Sequence, residues 1–377
     1  MTQHHSSQDS STLQQSPGIS NFLAAARGGS PSVTPIWFMR QAGRALPEYR
    51  KIKGVGSLLE IIQDPALVAE ITLQPVRRYG VDAAVFYSDI MVPLLGAGVS
   101  VEIVPGRGPV IENPFREESQ LHDLNIDDLA DKIPFVPDAI ALLRRELKIP
   151  LIGFTGAPFT VASYLIEGGS SKNYEKTKSL MLSNPPLWNK LMQRLTDLAI
   201  AHVKLQAQAG AEAIQVFDSW AGSLAPRHYD QYVKPFSAQV FAAIRSLGIP
   251  GIHFGVGTYG LIASMSDMDL DVMGVDWRTP LHDARQRLSR PVALQGNLDP
   301  TACLSSAEVA LAEARRVLVD AQGSKGYIFN LGHGVLPETD PDILLAIVDF
   351  VHQEGASIVS TSNLSSDHPE TPPLGRS

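Results

Sequence analysis

Cysteine is almost missing from this chain: Cys303 stands alone among 377 residues. A single thiol excludes an intrachain disulfide and any zinc site with two or more thiolates, and it is compatible with a reducing compartment. No run of 18 apolar residues exists, and the first 20 residues contain no apolar segment. Neither a membrane span nor a secretory signal is therefore predicted, and we expect a cytoplasmic protein without a membrane partner.

Positive charge is also in short supply, with 31 Lys+Arg against 39 Asp+Glu and a formal net charge of -8. Nucleic-acid binding needs clustered Lys and Arg to neutralise phosphates, so we expect no nucleic-acid partner. His253, His282 and Cys303 are the best zinc set that the sequence offers, and they lack any short ligand spacing. The segment GVGTYG at 255–260 resembles a dinucleotide fingerprint only in its spacing. The sequence therefore disfavours a metal site and a dinucleotide site.

The composition is that of a folded protein, with 44% hydrophobic and 19% charged residues. Both ends are polar and rich in Ser, and we expect disordered tails over 1–20 and 355–377. The body, 21–354, is predicted to be one catalytic domain, because α/β barrels of this length fold as a single unit.

Short β-branched or aromatic runs alternate with longer segments of helical periodicity, such as Leu187–Ala209 and Ser306–Asp320, which is typical of βα units. Eight strands followed by helices predict a single (β/α)8 TIM barrel, with its chemistry at the C-terminal strand ends. A doubly wound open sheet is the alternative, although the first run leads into MRQAGR instead of a glycine-rich turn. The predicted strands are Thr34–Met39, Ala83–Ser88, Leu151–Thr155, Ala213–Asp218, Gly251–Phe254, Val272–Asp276, Val292–Gln295 and Gly326–Asn330.

One excursion interrupts this alternation. Val99–Val104 and Val110–Phe115 flank the turn sequence PGRGP. This pattern predicts a β-hairpin inserted after strand 2, where it would rise over the mouth of the barrel.

The densest positive charge follows the first predicted strand. Residues 40–53 hold five Lys or Arg against one acidic residue, Glu48. Arg40 and Arg44 are four residues apart, and their planar guanidinium groups suit carboxylates or phosphates of one ligand. A solvated basic loop is the alternative interpretation.

Other polar side chains follow the predicted strands at the same end. Asp89 would lie at the floor of the cavity or serve as an N-cap. Asp218 and Ser219 are predicted at the mouth, where Ser219 lacks the G-x-S-x-G context of a hydrolase nucleophile. Tyr164 would be a hydrogen-bond donor or a core or surface residue without a functional role, and His333, between two glycines, would be a hydrogen-bond partner, a proton-transfer group or a residue without a functional role.

Several of these segments together resemble the uroporphyrinogen decarboxylase family. PIWFMRQAGRALPEYR and GFTGAPFTVASYLIEGGSSKNY are similar to its two signatures, and FYSDI, QVFDSWAG and NLGHGV match its other site segments in order. The resemblance covers about 30–350. It implies a (β/α)8 barrel, usually a homodimer, that removes carbon dioxide from the four acetate side chains of uroporphyrinogen III without cofactor or metal, leaving methyls and coproporphyrinogen III.

The resemblance also implies roles for individual residues. Arg40 and Arg44 would bind substrate carboxylates, with the backbone of Gln41, Ala42 and Gly43 lining the same site. Asp89 would bond the pyrrole N–H groups and stabilise the ring cation. Contacts to substrate and its acid side chains would come from Tyr164, Ser219 and His333.

The chemistry fits such residues, because a pyrrole protonated at a ring carbon is its own electron sink. The proton donor stays open: Arg40 is a weak acid and would need a perturbed environment or an intervening water. Two other functions stay open. A corrinoid- or zinc-dependent methyltransferase on the same barrel is disfavoured by the single Cys303, and a non-catalytic tetrapyrrole-binding protein could dispense with Asp89.

Overall fold

The computed structural model describes residues 20–53, 57–104 and 106–360. The predicted tail segments 1–19 and 361–377 lie outside these residues. Seven strands form one parallel sheet in the order β1-β4-β5-β6-β7-β8-β9. Its strands are β1 (Ala84–Val85), β4 (Leu151–Gly156), β5 (Ala213–Phe217), β6 (Gly251–Phe254), β7 (Val272–Gly274), β8 (Ala293–Leu298) and β9 (Tyr327–Leu331). Because this order never reverses, the doubly wound alternative is wrong.

The sheet is curled, so that side chains from distant strands meet inside it. Gln295 on β8 donates through Nε2 to Oε1 of Gln215 on β5 at 2.9 Å, although two strands separate them in the sheet. Trp37 Nε1 donates to Oε1 of the same Gln295 at 3.0 Å. Gln295 thus uses both its Nε2 and its Oε1 in buried hydrogen bonds, which fixes the inward face of both strands.

The predicted first strand is reduced to a single parallel bridge, Ile36 with Phe329 of β9. On its other side, the N–H of Asp82 donates to the Ile36 carbonyl at 2.9 Å. The strand ends early because the next N–H groups bond side chains: the Phe38 N–H donates to Gln41 Oε1 and the Met39 N–H to Asn330 Oδ1. The described residues thus contain seven sheet strands and one bridge where eight strands were predicted.

A separate antiparallel pair, β2 (Val101–Val104) and β3 (Gly108–Ile111), follows β1 in the chain. The N–H groups of Ile111 and Phe115 donate to the carbonyls of Gly168 and Leu165 at 3.1 and 2.9 Å. The pair is therefore attached to the C-terminal end of the helix that follows β4.

Helices cover the outer face of the sheet, and both helices predicted in detail are confirmed. Asn184 caps the long helix that ends before Gly210, where φ is +121°. The hydroxyl of Ser306 accepts the Val309 N–H at the start of the other. The α-helices are α1 (Asn21–Ala26), α2 (Pro47–Lys53), α3 (Leu58–Ile62), α4 (Pro65–Tyr79), α5 (Val92–Gly96), α6 (Leu129–Lys132), α7 (Phe135–Glu146), α8 (Pro158–Glu167), α9 (Glu175–Ser183), α10 (Pro185–Ala209), α11 (Pro226–Tyr232), α12 (Lys234–Ser246), α13 (Ile262–Ser266), α14 (Leu281–Arg287), α15 (Ala307–Asp320) and α16 (Pro341–Ser360).

The two ends of the described body differ from the predicted boundaries. Ser20, assigned to the N-terminal tail, caps α1 by accepting the Leu23 N–H. At the other end, α16 continues six residues past 354 to Ser360, and its Gly355 is buried against Thr34. Among the described helices, α16 alone is long and apolar enough to span a membrane. Its packing against α15 and α4 gives this apolar face a partner within the fold.

Candidate active site

Arg40 occupies an unusual backbone conformation at the edge of the sheet. Its φ is +59°, the left-handed region that non-glycine residues seldom adopt. The chain is fixed on both sides, because the Val335 N–H donates to the Met39 carbonyl at 2.8 Å and Gln41 is buried. The exposed Arg40 side chain lies against Gly334, where a Cβ would come within 2.5 Å of the Arg40 Cδ. The surrounding structure therefore holds Arg40 in place at some conformational cost.

The residues after Arg40 differ in their contacts: the Gln41 side chain is hydrogen-bonded within the fold, whereas Ala42, Gly43 and Arg44 are at least partly accessible. Gln41 Nε2 donates to the Ala83 carbonyl at 3.1 Å, and its Oε1 accepts the Phe38 N–H at 3.0 Å. Both polar atoms of the Gln41 side chain are thus hydrogen-bonded within the protein, so only the Gln41 backbone is left to contact a ligand. Ala42 and Gly43 are half-buried and Arg44 is exposed.

Asp89 follows β1 and lies deep in the structure while keeping some exposure. Its Oδ1 accepts the Met91 N–H at 2.9 Å, so the local turn fixes the carboxylate. Burial raises the pKa of Asp89, against the opposing effects of the Met91 hydrogen bond and the Arg40 charge. The N-cap interpretation is only partly met, because α5 begins at Val92 and Asp89 bonds an N–H before it. A carboxylate in this setting gains from a cationic partner.

Tyr164 lies in the last turn of α8, which ends at Gly168 in a left-handed conformation. Its ring stacks on Trp220, with centroids 3.9 Å apart, and Trp220 also contacts the ring of Tyr174 at 4.8 Å. Burial raises the pKa of Tyr164 to about 12, with the charge of Asp89 adding to the effect. The phenol therefore remains a hydrogen-bond donor at any working pH.

Asp218 and Ser219 follow β5 but do not share one environment. Gln215 and Phe217 point inward, so the alternation of the strand directs Asp218 outward, where it is fully buried. Thr160 Oγ1 of α8 donates to Asp218 Oδ1 at 3.1 Å. The prediction that Asp218 lies at the mouth is therefore wrong. Ser219 is half-buried in the turn after β5, beside Trp220.

His333 lies in the loop after β9, and its ring meets Trp277 edge-on at 5.9 Å between centroids. Burial lowers the pKa of His333, and the charges of Arg40 and Arg278 lower it further. The imidazole is consequently neutral near pH 7 and suited to hydrogen bonding.

Arg278 is a cation at this end of the sheet that the sequence reasoning missed. Its guanidinium lies 4.1 Å from the centroid of the Trp277 ring, and its Nη1 is 3.1 Å from Asp276 Oδ2. Asp276 also accepts the Gly257 N–H at 2.6 Å, which ties the loops after β6 and β7 together. The side chain of Arg278 is nevertheless 54% exposed. The stack and the ion pair orient it without using all of its donors.

Three phenylalanine rings provide an apolar surface on the inner face of the sheet near its C-terminal edge. Phe217 contacts Phe154 and Phe254 in T-shaped arrangements, with centroids 5.5 and 6.2 Å apart. Phe154 and Phe254 are buried, whereas Phe217 keeps partial exposure. A flat organic ring would find a rigid aromatic floor here.

The charge of Arg40 is close enough to Asp89, Tyr164 and His333 to act on the pKa of each, so these four residues lie in one region of the structure. Ser219 joins them through its neighbour Trp220, which stacks on Tyr164. The structure thus brings together residues that follow five different strand positions.

Other candidate groups lie elsewhere. His253 is buried on β6, His282 pairs with Asp320 on the surface, and Cys303 is buried with a pKa raised to about 12 by burial. Within the described ranges, no three His, Cys, Asp or Glu side chains are placed to hold a metal ion. A cavity of about 1660 Å³ runs along α14 and α15; Trp277 and Arg278 border it, but the predicted site residues do not.

Comparisons with known proteins identify the family. The family model described as "Uroporphyrinogen decarboxylase (URO-D)" matches residues 18–354. A uroporphyrinogen decarboxylase of Salinispora tropica is 51% identical over 338 residues, covering 89% of this chain and 91% of that protein. One of Streptomyces avermitilis is 52% identical over 341 residues, covering 89% and 95%. A solved methyltransferase from Methanosarcina mazei has a TM-score of 0.76 at 19% identity, covering 88% and 97%, which shows the fold alone. With its sequence matched over nearly all of the described body, the chain belongs to the uroporphyrinogen decarboxylase family.

Proposed function

We propose that the cleft around Arg40 and Asp89 is the site at which this carboxy-lyase acts as a uroporphyrinogen decarboxylase. It removes carbon dioxide from the four acetate side chains of uroporphyrinogen III and leaves methyl groups, giving coproporphyrinogen III. Family membership at about half sequence identity supports the reaction. The observation that carries the assignment of the site is the deeply placed carboxylate of Asp89, fixed by the Met91 N–H and within electrostatic range of the constrained Arg40.

Arg40 and Arg44 bind substrate carboxylates, and the backbone of Gln41, Ala42 and Gly43 lines the same part of the cleft. A tetrapyrrole with eight carboxylates is strongly anionic, so local cations must offset the net charge of -8 on the protein. Tyr164 and Ser219 donate hydrogen bonds to the acid side chains. His333, neutral because of burial and nearby guanidinium groups, donates or accepts a further hydrogen bond.

Asp89 stabilises the positive charge that forms during decarboxylation and bonds the pyrrole N–H groups. A proton adds to a ring carbon and makes the pyrrole cationic. The bond between the methylene and the carboxylate then breaks, carbon dioxide leaves, and the electron pair neutralises the ring. A second proton converts the exocyclic methylene to methyl, and the ring carbon loses the first, so that one proton replaces each carbon dioxide. A carboxylate already desolvated by protein stabilises the cation more strongly than one in water.

Arg40 also takes part in proton delivery. A guanidinium is a weak acid, so we assign it to holding a water that passes the proton to the ring. The substrate itself supplies the electron sink, and the proposed reaction uses no cofactor or metal. The buried Cys303, whose thiol has a raised pKa, is poorly suited to the metal-bound thiolate chemistry of a methyltransferase.

Several finer features complete the proposal. The bridging segment at Ile36 takes the place of the eighth strand and closes the curled sheet into a TIM barrel, since it bonds both β9 and Asp82, two residues before β1. The β2–β3 pair is an inserted hairpin that covers the cleft, as its attachment to the end of α8 near Tyr164 supports. We propose a cytoplasmic homodimer without nucleic-acid or membrane partners.

The test is an anaerobic incubation of the chelator-treated protein with uroporphyrinogen III, followed by chromatography of the oxidised products by carboxyl number. Conversion from eight carboxyl groups to four is the expected result. An unchanged substrate, or activity that requires added metal, would overturn the proposal.

A further inference from the structure

Asp218 is a fully buried carboxylate for which the proposed chemistry has no use. Its Oδ1 accepts the Thr160 hydroxyl at 3.1 Å. Its Oδ2 lies 3.5 Å from His253 Nε2 and makes no hydrogen bond to any residue that the structure describes. Burying a carboxylate with so few donors is costly, so it is retained for some compensating purpose.

The neighbours of this carboxylate belong to the cleft. Asp218 directly precedes Ser219, and its N–H donates to the Phe254 carbonyl of β6 at 2.7 Å. Thr160 precedes Tyr164 by four residues on α8, so both lie on one face of that helix. The Thr160 hydroxyl also lies 3.5 Å from the Trp220 N–H, on the other side of Ser219.

The consequence is a bridge between two elements that carry site residues. Thr160 Oγ1 is bonded to the residues on both sides of Ser219, while one helical turn later Tyr164 stacks on Trp220. The bridge therefore fixes the distance between the Tyr164 phenol and the Ser219 hydroxyl. Two hydroxyls that bind the same ligand need this kind of preorganisation, because a shift of about 1 Å costs much of their effect.

We propose that Thr160 and Asp218 are positioning residues, which hold Tyr164 and Ser219 at the spacing required to bind the acid side chains of the tetrapyrrole. This inference rests on the proposed function of the cleft. Neither residue touches substrate: Asp218 is directed away from the inner face of the sheet, and both side chains are fully buried.

The decisive pair of variants separates the hydroxyl from the shape of the side chain. Thr160→Val keeps the volume but removes the donor, whereas Thr160→Ser keeps the donor and removes a methyl group. We expect Thr160→Val to raise KM about tenfold, the usual scale for losing a hydrogen bond to a charged acceptor, with kcat little changed. Thr160→Ser should restore KM to near the wild-type value.

Thr196→Val is the matched control. Thr196 is also fully buried in a helix, but its hydroxyl donates at 2.7 Å to the Met192 carbonyl of its own helix, α10. A purely structural loss lowers the fraction of folded enzyme and therefore the apparent kcat, leaving KM unchanged. For Thr196→Val we expect either a lower apparent kcat at an unchanged KM or no change in either constant.

A double-mutant cycle with Ser219→Ala tests whether the change in KM caused by Thr160→Val depends on the Ser219 hydroxyl. If Thr160 acts by positioning the hydroxyls, Thr160→Val should raise KM by less in the Ser219→Ala background than in the wild type. An unchanged KM in Thr160→Val, or equal losses in Thr160→Val and Thr160→Ser, would overturn the positioning role while the decarboxylase assignment stands. Absence of product from the wild-type enzyme would instead refute the proposed function itself.

Discussion

His352 Nε2 on α16 lies 2.8 Å from Asp82 Oδ2, the same oxygen that accepts the Ile36 N–H at 2.8 Å. The Asp82 N–H in turn donates to the Ile36 carbonyl. One carboxylate thus joins the last helix, the bridging segment and the start of β1, where the curled sheet has its shortest elements. The pair fixes the position at which the predicted first strand is reduced to a single bridge.

We expect His352→Gln to lower stability in a pH-dependent manner. The hydrogen bond to Asp82 raises the pKa of His352, so the ionic contribution is complete below the ordinary value of 6.5 and is lost as pH rises through the raised pKa. The difference in unfolding temperature between wild type and variant should be roughly 2 °C at pH 6, corresponding to about 1 kcal/mol. It should shrink towards pH 8.5, leaving only the neutral hydrogen bond.

Thermal unfolding monitored by circular dichroism from pH 5.5 to 8.5 checks this expectation. His122→Gln, at an exposed position, serves as the control for removing a histidine. A wild-type advantage that grows with pH would contradict the assigned ion pair.

Asp89→Asn should abolish most carbon dioxide release while substrate still binds. The amide keeps the shape and can accept the Met91 N–H, but it cannot balance a ring cation. Since burial raises the pKa of Asp89, ionisation of this carboxyl costs folding energy at neutral pH, and the variant should unfold at an equal or higher temperature. Product analysis, substrate titration and thermal unfolding provide the three measurements.

The same pKa shift predicts the acidic limb of the wild-type rate profile. The ionised form of Asp89 is the active one, so kcat/KM should fall as pH drops through a value above the ordinary 3.8 of a free Asp. Full activity retained by Asp89→Asn would exclude this carboxylate from the chemistry.

The strand positions could be predicted from sequence because buried parallel strands form short apolar runs between helical patterns. The run at 151 became the wholly buried β4, and Gly251–Phe254 matches β6 at both ends. The shortening of the first strand to a single bridge could not be predicted. It depends on the side chains of Gln41 and the distant Asn330, which accept the backbone N–H groups of Phe38 and Met39.

Side-chain direction explains the errors at the site. The direction of the Asp218 side chain depends on which residues of β5 point into the sheet. The hydrogen bond between Gln215 and Gln295 shows that Gln215 points inward, and this contact between distant strands is not visible in the sequence. Arg278 was missed because a single arginine between Trp277 and Thr279 has no local signal. Its position depends on the Trp277 ring and on Asp276, whose orientation the loop after β6 fixes.

Arg278→Gln should weaken substrate binding without changing the chemical step. Its guanidinium lies on the Trp277 ring, which also contacts the His333 ring, and its charge lowers the pKa of that imidazole. We expect KM for the octacarboxylate to rise about five- to tenfold and kcat to stay within twofold, because one partly solvated cation contributes on the order of 1 kcal/mol. The pKa of His333, measured by NMR, should rise in the variant.

Arg315→Gln is the matched control for this change. Arg315 is 51% exposed, pairs with Glu354 and lies 5.0 Å from the Phe350 ring, on the outer helices α15 and α16. It therefore reproduces the charge, exposure and ring contact of Arg278 away from the cleft. Equal effects of the two variants on KM would show that Arg278 acts only through the net charge.

Gly334→Ala should impair the enzyme by displacing Arg40. A Cβ at residue 334 would lie 2.5 Å from the Arg40 Cδ and 2.8 Å from its Cγ, so the arginine side chain must move. Because φ of Arg40 is already +59° and its neighbours are fixed by hydrogen bonds, the backbone cannot follow, and the guanidinium is turned from its site. We expect kcat/KM to fall at least tenfold with little change in unfolding temperature.

Gly260→Ala is the comparison that isolates this effect. Gly260 lies in the short 3-10 helix Tyr259–Leu261 after β6, and the nearest atom to an added Cβ there is the Pro226 Cγ at 3.8 Å, an ordinary contact. Steady-state kinetics of the two alanine variants should therefore differ, although both add one methyl group to a glycine. If Gly334→Ala were as active as Gly260→Ala, the guanidinium of Arg40 would not need the orientation that this structure gives it, and its assignment to carboxylate binding and proton delivery would fail.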